Sequence, residues 1–330
     1  MALIEISVVV PVLDEAPNIA PLSSQLREAL EPACESYEII FVGGGSTDGT
    51  EDRVLEERVA DARVKLLWLS RNFGHQAAIT AGMDSASGRA VITMDGDLQH
   101  PPALLPELIE LWRKGYQVVT TRRVSTAQEG ALRRHFSTWF YRLFDAVSGL
   151  KLEDGSADFR LLDRSAVDAL KRFPERARFF RGLVQWIGFE QTSVSYTADP
   201  RLAGASKYSA GKLIKFGLLA TLSFSATPLY LVAVAGFLIA GLSFLYGTYA
   251  IVAKFVMDAN PAGWAGLLAA LAFLGGVQLI SLGVVGAYIA RIYEETKGRP
   301  AYLVNRLYGL PAASPQGELK PLQREQLDHP

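Results

Sequence analysis

The sequence predicts an α/β protein, a mostly parallel sheet with helices on both faces, followed by two membrane-spanning helices. Three observations carry that prediction. Up to about residue 125, short runs rich in Val and Ile alternate with segments of helical spacing, the pattern of a parallel sheet wrapped by helices. Near the C-terminus, Phe216 to Ala253 and Ala259 to Ala290 contain no Asp, Glu, Lys or Arg, and only Lys254 and Asp258 interrupt them. Of the 330 residues, 49% are hydrophobic and 20% charged, which excludes a disordered chain, and the single cysteine, Cys34, excludes a disulfide-stapled one.

The elements follow in order. Ile4 to Val12, Tyr37 to Val42, Val64 to Trp68, Ala90 to Met94 and Gln117 to Thr121 read as strands, each short, β-branched and bounded by turn residues. Pro17 to Leu30, Thr50 to Ala60, His75 to Ser85 and Leu104 to Lys114 read as the intervening helices. Ligands of such sheets sit at the carboxyl ends of the strands. Chemistry is therefore expected at Asp14 and Glu15, at Gly43 to Gly45, at Arg71 to Gln76 and at Asp95 to His100. No signal peptide is expected, because Met1 to Pro11 lacks a basic leader and Glu5 interrupts its apolar run.

Further along, Leu132 to Val147 sets Arg133, Arg134 and Arg142 among Phe136, Trp139, Phe140, Leu143 and Phe144. That pattern suits a helix lying in a membrane interface, or an ordinary helix covering the sheet. Lys212 to Phe224 is a second interfacial candidate. A span needs about 20 apolar residues, which places two of them near Leu229 to Ala253 and Gly263 to Ile289. A buried helical hairpin is the alternative, but soluble helices rarely stay free of charge all round. Lys207, Lys212 and Lys215 before the spans, and Arg291, Lys297, Arg299 and Arg306 after them, outweigh Lys254 in the connector. Both termini and the soluble part are then expected on the cytoplasmic side, in a bacterium that of the inner membrane. The expected domains are residues 1–210, a membrane part at 211–311 and a polar, disordered tail at 312–330. A formal net charge of −1 gives no electrostatic case for nucleic acid.

Asp95-Gly96-Asp97 directly follows a buried strand, and two carboxylates one residue apart can turn toward one hard cation that bridges a diphosphate. Together with Ile6-Ser-Val-Val-Val-Pro-Val-Leu-Asp-Glu15, Gly45-Ser-Thr-Asp-Gly-Thr50, Leu69-Ser-Arg-Asn-Phe-Gly-His75, Met94-Asp-Gly-Asp-Leu-Gln-His-Pro-Pro102 and Asp158-Phe-Arg-Leu-Leu162, this run resembles the family 2 glycosyltransferases. The resemblance spans nearly the whole chain. It is strongest to the polyprenyl-phosphate branch, which includes dolichol-phosphate mannose synthases and bactoprenol glucosyltransferases.

What the resemblance implies is a GT-A fold, Rossmann-like and mostly parallel, with two C-terminal transmembrane helices. It also implies inverting transfer of one sugar from a UDP- or GDP-sugar to a polyprenyl phosphate, with Mg²⁺ or Mn²⁺. Asp95 and Asp97 would hold the metal. Pro11, Glu15, Gly44, Asp48, Asp95 and Gln99 would bind the donor, Asp158 and Asp97 would be catalytic, and Arg160, Arg181, Arg201 and Lys207 would meet the acceptor phosphate. Oligomeric state is not given, although the family's membrane helices are compatible with a homo-oligomer. An anionic acceptor needs no strong base, so Asp158 is expected to orient the acceptor or share the metal, the alternative being a helix cap or an ion pair with Arg160.

One departure stands out. Where the family usually has two aspartates, this chain reads Gly43-Gly44. Their loss removes acceptors for the donor's base, which leaves a non-catalytic, membrane-bound paralogue as the alternative function. The glycines are no dinucleotide fingerprint, since the third glycine position falls on Asp48, and Ser206-Lys207 lacks P-loop spacing. A processive polysaccharide synthase is disfavoured, because Arg181-Gly-Leu-Val-Gln-Trp186 is not its Q-x-x-R-W signature.

Overall fold

The computed structural model describes residues 4–123, 156–175, 178, 180–197, 227–257 and 264–311. They form β1 (Ile6–Pro11), α1 (Ala16–Leu30), β2 (Tyr37–Gly43), α2 (Thr50–Ala60), β3 (Val64–Leu69), α3 (His75–Ser85) and β4 (Ala90–Thr93). A 3-10 turn at Pro102–Leu104 leads into α4 (Leu105–Arg113), β5 (Val118–Arg123), β6 (Ser156–Asp163), α5 (Arg164–Lys171), α6 (Phe180–Trp186) and β7 (Gln191–Tyr196). Two long helices, α7 (Thr227–Met257) and α8 (Trp264–Thr296), precede β8 (Val304–Tyr308). The predicted interfacial helices at 132–147 and 212–224, Arg201, Lys207 and the tail at 312–330 lie outside the described residues.

One eight-stranded sheet runs β7-β5-β6-β4-β1-β2-β3-β8. The pairs β1–β2, β1–β4, β2–β3 and β5–β7 are parallel, whereas β6 is antiparallel to β4 and β5, and β8 is antiparallel to β3. Strand order turns at β1, from which the chain goes one way to β2 and later the other way to β4. This is the switch point beside which such sheets take their ligands. β1 and β2 are buried along their whole length, so they carry mostly apolar runs, broken only by the mutually bonded Ser7 and Glu38, in place of alternation.

Helix α3 packs unusually close to the sheet. A Cβ on Gly82 would lie 2.2 Å from Val9 Cγ1 and 3.0 Å from Val42 Cγ2, so only glycine lets α3 rest on β1 and β2. That seating fixes the height of His75 at the other end of the helix. At the amino edge of the sheet, buried Glu38 accepts from Ser7 Oγ (2.5 Å) and from the Ser87 amide (2.8 Å), and Lys65 Nζ also bonds it. This second buried charge is closed on itself.

The described residues divide into two compact units. One holds everything up to residue 197 together with residues 299–311, and the other holds α7 and α8. Within the helices, Leu229–Tyr249 and Phe273–Thr296 are long and apolar enough to cross a membrane, with Phe237, Leu242, Phe244, Leu279 and Ile280 exposed. The sequence reading ran the membrane part on to residue 311. In the structure, β8 returns to the first unit's sheet, where Ser70 N–H donates to Leu303 O (2.9 Å), Tyr302 Oη to Asp84 Oδ2 (2.9 Å) and Arg306 to Glu51 (2.9 Å). A five-residue edge strand with Asn305 and Arg306 in it is recognisable only through its partner β3.

Gly82→Val should cost about 1–3 kcal/mol by overpacking, because Val9 has no flexible end to move aside. Urea unfolding of the purified chain measures it, and a neutral result would mean that α3 is free to lift.

Candidate active site

The site forms where β1, β2 and β4 end and β6 begins. Because β6 runs opposite to β4, its first residues lie beside the carboxyl end of that strand, with Thr93 paired to Arg160. Thr93 Oγ1 donates to the Asp158 carbonyl (2.7 Å), and Thr121 Oγ1 to the Phe159 carbonyl (2.8 Å). Antiparallel pairing thus brings Asp158 to Asp95 across more than sixty residues of chain.

After β4 the chain continues as a zigzag. Asp95, Asp97 and Gln99 are half-buried on the open side, while Gly96, Leu98 and His100 turn inward. A Cβ on Gly96 would already approach Val12 Cγ1 to 3.0 Å. Leu98 is buried at φ +61°, a conformation that costs a leucine about 1–2 kcal/mol and is held because its side chain belongs to the core. His100 closes the loop, its Nδ1 accepting the Asp95 N–H (2.9 Å) and its ring stacking on Phe159 at 5.2 Å. Burial lowers the His100 pKa despite Asp95, Asp97 and Asp158 nearby, in keeping with a ring nitrogen that accepts. Asp97 Oδ1 accepts the Gln99 N–H (3.2 Å).

Asp158 is 8% exposed and faces three cationic side chains. Arg160 Nη2 lies 2.6 Å from its Oδ1, Arg181 reaches Oδ1 and Oδ2 at 3.3 Å each, and His75 Nε2 is 3.6 Å from Oδ2. Burial pushes the carboxyl pKa up, but Arg181, His75 and Arg160 outweigh it and hold the group well below the carboxylate range. His75 Nε2 also stands 3.3 Å from Asp95 Oδ1. Burial opposes its charge, yet Asp158 and Asp95 together raise its pKa. Asp95 Oδ1 is buried and accepts no hydrogen bond.

The loops after β1 and β2 are knitted together. Asp14, at φ +53°, donates its N–H to Ser46 Oγ (3.2 Å) and accepts the Thr47 N–H (2.9 Å). Glu15 N–H donates to Thr50 Oγ1 (2.9 Å), and Asp48 accepts from Ala16 N–H (2.9 Å), Thr50 N–H (3.1 Å) and Thr50 Oγ1 (2.5 Å). Asp48 is therefore a brace between the two loops, with both carboxylate oxygens engaged. Pro11 ends β1 opposite Val42 as part of the buried sheet.

One expectation changes, and one gains a steric reason. Arg160 was expected to meet the acceptor phosphate, but it is 3% exposed and bonded to Asp158, so it serves that carboxylate from behind. Arg181, with about a third of its side chain exposed, reaches the surface, as does His75. Gly43 and Gly44 were read as lost acceptors. A Cβ on Gly43 would lie 2.5 Å from Trp68 Cζ3, and one on Gly44 2.8 Å from Leu69 O and 2.9 Å from Arg71 O, so neither position has room for an aspartate. His75 and His100 escaped the reading of single residues, although both stand in the loops flagged at strand ends. Neither has a spacing signature, because their partners come from other elements.

The low pKa of Asp158 fixes the sign of a pH effect. Its contribution to stability is complete above its ordinary value of 3.8 and is lost as pH falls through the carboxylate range toward the folded value. Asp158→Asn should cost about 3–5 kcal/mol at neutral pH by stranding buried cations, and should flatten the acid limb of a melting-temperature-against-pH curve. An unchanged acid limb would assign that limb to other carboxylates.

Comparison with known proteins identifies the family. Residues 7–171 match the description "Glycosyl transferase family 2". The chain is 42% identical over 307 residues to uncharacterized glycosyltransferase YkcC of Bacillus subtilis, covering 93% of this chain and 95% of that protein. It is 40% identical over 302 residues to the SfII prophage-derived bactoprenol glucosyl transferase of Shigella flexneri, covering 92% and 98%. Among solved structures, the mannosyltransferase PcManGT from Pyrobaculum calidifontis, in complex with GDP-Man and Mn²⁺, is similar at 17% identity and a TM-score of 0.48, over 88% of this chain and 87% of that one. The chain belongs to glycosyl transferase family 2.

Proposed function

We propose that this glycosyltransferase transfers a single sugar, with inversion, from a UDP- or GDP-sugar to a polyprenyl phosphate at the cytoplasmic face of the membrane. The observation that carries the reading is the pairing, through His75, of an ionised, cation-held Asp158 with Asp95, whose buried Oδ1 accepts no hydrogen bond and has His75 Nε2 3.3 Å away. A buried acceptor lacking a partner suits a cation. Among the described residues no three carboxylates, imidazoles or thiols close into a metal cage, so Asp95 and Asp97 would hold a divalent ion while leaving positions for a ligand. Such an ion, when bound, stabilises negative charge on the departing nucleoside diphosphate.

The chain's own groups divide the remaining work. The acceptor phosphate is already anionic at neutral pH, so no side chain has to remove a proton. Asp158, with its depressed pKa, is a poor base and suits an orienting role. Arg181 supplies a partly exposed guanidinium beside it, matched to a phosphate by its fork of donors. The knitted loops around Asp14, Glu15 and Asp48 bound the donor's nucleoside end.

Membrane attachment is supported by the two apolar helices and by the path of the chain. After α8 the chain contributes β8 to the sheet of the first unit. Basic residues at Arg291, Lys297, Arg299 and Arg306 favour the cytoplasmic face. The paralogue reading rested on Gly43 and Gly44, and their close packing against β3 makes them part of a built strand end.

Purified full-length protein, supplied with undecaprenyl phosphate, Mn²⁺ and radiolabelled UDP- and GDP-sugars, should yield a lipid-linked product with one donor. Asp97→Asn and Asp158→Asn should each slow it at least about a hundredfold. Absence of product with every donor would overturn the reading.

A further inference from the structure

His75 opens α3 on a turn that needs glycine. Gly74 stands at φ +97° and donates its N–H to Asn72 Oδ1 (2.8 Å), so the imidazole is the first side chain of the helix after the loop that follows β3. The helix is seated at Gly82 on Val9 and Val42, and the start of the loop is tied down where Ser70 N–H donates to Leu303 O (2.9 Å). The ring is thus carried to a set place. Its Nε2 lies 3.3 Å from Asp95 Oδ1 and 3.6 Å from Asp158 Oδ2, between the end of β4 and the start of β6. Arg160 and Arg181 pair with Asp158 and His100 with Asp95, whereas His75 pairs with both. A nitrogen that faces two carboxylates has to carry a hydrogen, since a lone pair there would meet negative charge on each side. The His75 side chain is 41% exposed, so burial of apolar area does not account for its position.

We propose that His75 is a positioning residue of the transfer reaction, its Nε2–H setting the distance between Asp95, which serves the sugar donor, and Asp158, which serves the acceptor. The inference rests on the function proposed above and adds what holds the two halves of the site at one spacing. Two carboxylates drawn to one nitrogen repel each other, and a donor between them offsets that repulsion. Without it Asp95, whose Oδ1 accepts no hydrogen bond, is the freer of the two, because Asp158 keeps both arginines. Sugar donor and acceptor react only when brought close and in line. A shift of Asp95 relative to Asp158 therefore lowers the rate of transfer even where each substrate still binds.

The test replaces the imidazole by amides of two lengths in the full chain in detergent. A glutamine places its amide nitrogen near the position of the imidazole Nε2, an asparagine only near that of Nδ1. Mn²⁺ titrations followed by the electron-spin resonance of the free ion, with thermal unfolding alongside, give a readout independent of turnover. His75→Ala and His75→Asn should weaken Mn²⁺ binding about tenfold, the usual cost of losing a group that orients a metal's ligand, and His75→Gln should recover most of it. With undecaprenyl phosphate and the productive sugar donor, His75→Ala and His75→Asn should lower kcat at least about tenfold while KM for the acceptor moves less than about threefold, and His75→Gln should regain much of the lost rate. A folded His75→Ala protein with parental Mn²⁺ affinity and kcat, or a His75→Gln protein no better than His75→Asn, would overturn the proposal. If the parent chain forms no product with any donor, the function proposed above is overturned, and the order of His75→Gln over His75→Asn in Mn²⁺ binding still decides the role of His75.

Discussion

Asp158 carries a negative charge to a place where water reaches little of it, and such a charge is tolerated only with cations close by. Arg160 comes from the same strand, Arg181 from α6 and His75 from the start of α3. Three elements are thus tied to one carboxylate, and their separation is set by ion-pair distances. His75 extends the cluster to Asp95, so the end of β4 is held in the same arrangement. The contrast with Glu38 is instructive. That carboxylate, more deeply buried, is enclosed by Ser7, Lys65 and the Ser87 amide, whereas the Asp158 cluster leaves a part-exposed edge through Asp95 and Arg181.

The loop after β4 shows how a reactive edge is kept rigid. Leu98 stands in a backbone conformation unfavourable to it, and the burial of its side chain offsets the strain. His100 seals the turn from inside, so Asp95 and Asp97 emerge on one side with little freedom left to lose when a ligand arrives. The glycines have a similar logic. Gly82 lowers α3 onto the sheet, and Gly43 and Gly44 let β2 end flush against β3, each trading a side chain for close approach of backbone. For a transfer reaction in which the leaving group and the acceptor are both anionic, prepositioned charge is the main contribution the protein can make.

The first unit's sheet is completed by β8, a strand that follows the two apolar helices in sequence. It covers the edge of β3, which would otherwise offer unpaired backbone groups, and it holds both ends of the segment carrying His75. Leu303 bonds Ser70 just before the loop, and Tyr302 bonds Asp84 near the end of α3. The two apolar helices and the strand that holds the segment carrying His75 are consecutive in the polypeptide.

Much of this was determined by the sequence alone. The alternation of strands and helices through residue 123, the two apolar helices and the carboxylate pair of Asp95 and Asp97 were legible because periodicity, length and local motifs are properties of neighbouring residues, whereas Asp158 was named only through the family resemblance. The strand β6 was hidden, since its buried charges Asp158 and Arg160 break the apolar pattern and make sense only as each other's partners. β8 was hidden because an edge strand is defined by what it pairs with. The placement of His75 and His100, the recasting of Arg160 as a support, and the fit of Gly43 and Gly44 were decided by tertiary structure. Each depends on distances between elements far apart in the chain, and composition and spacing carry no record of such distances.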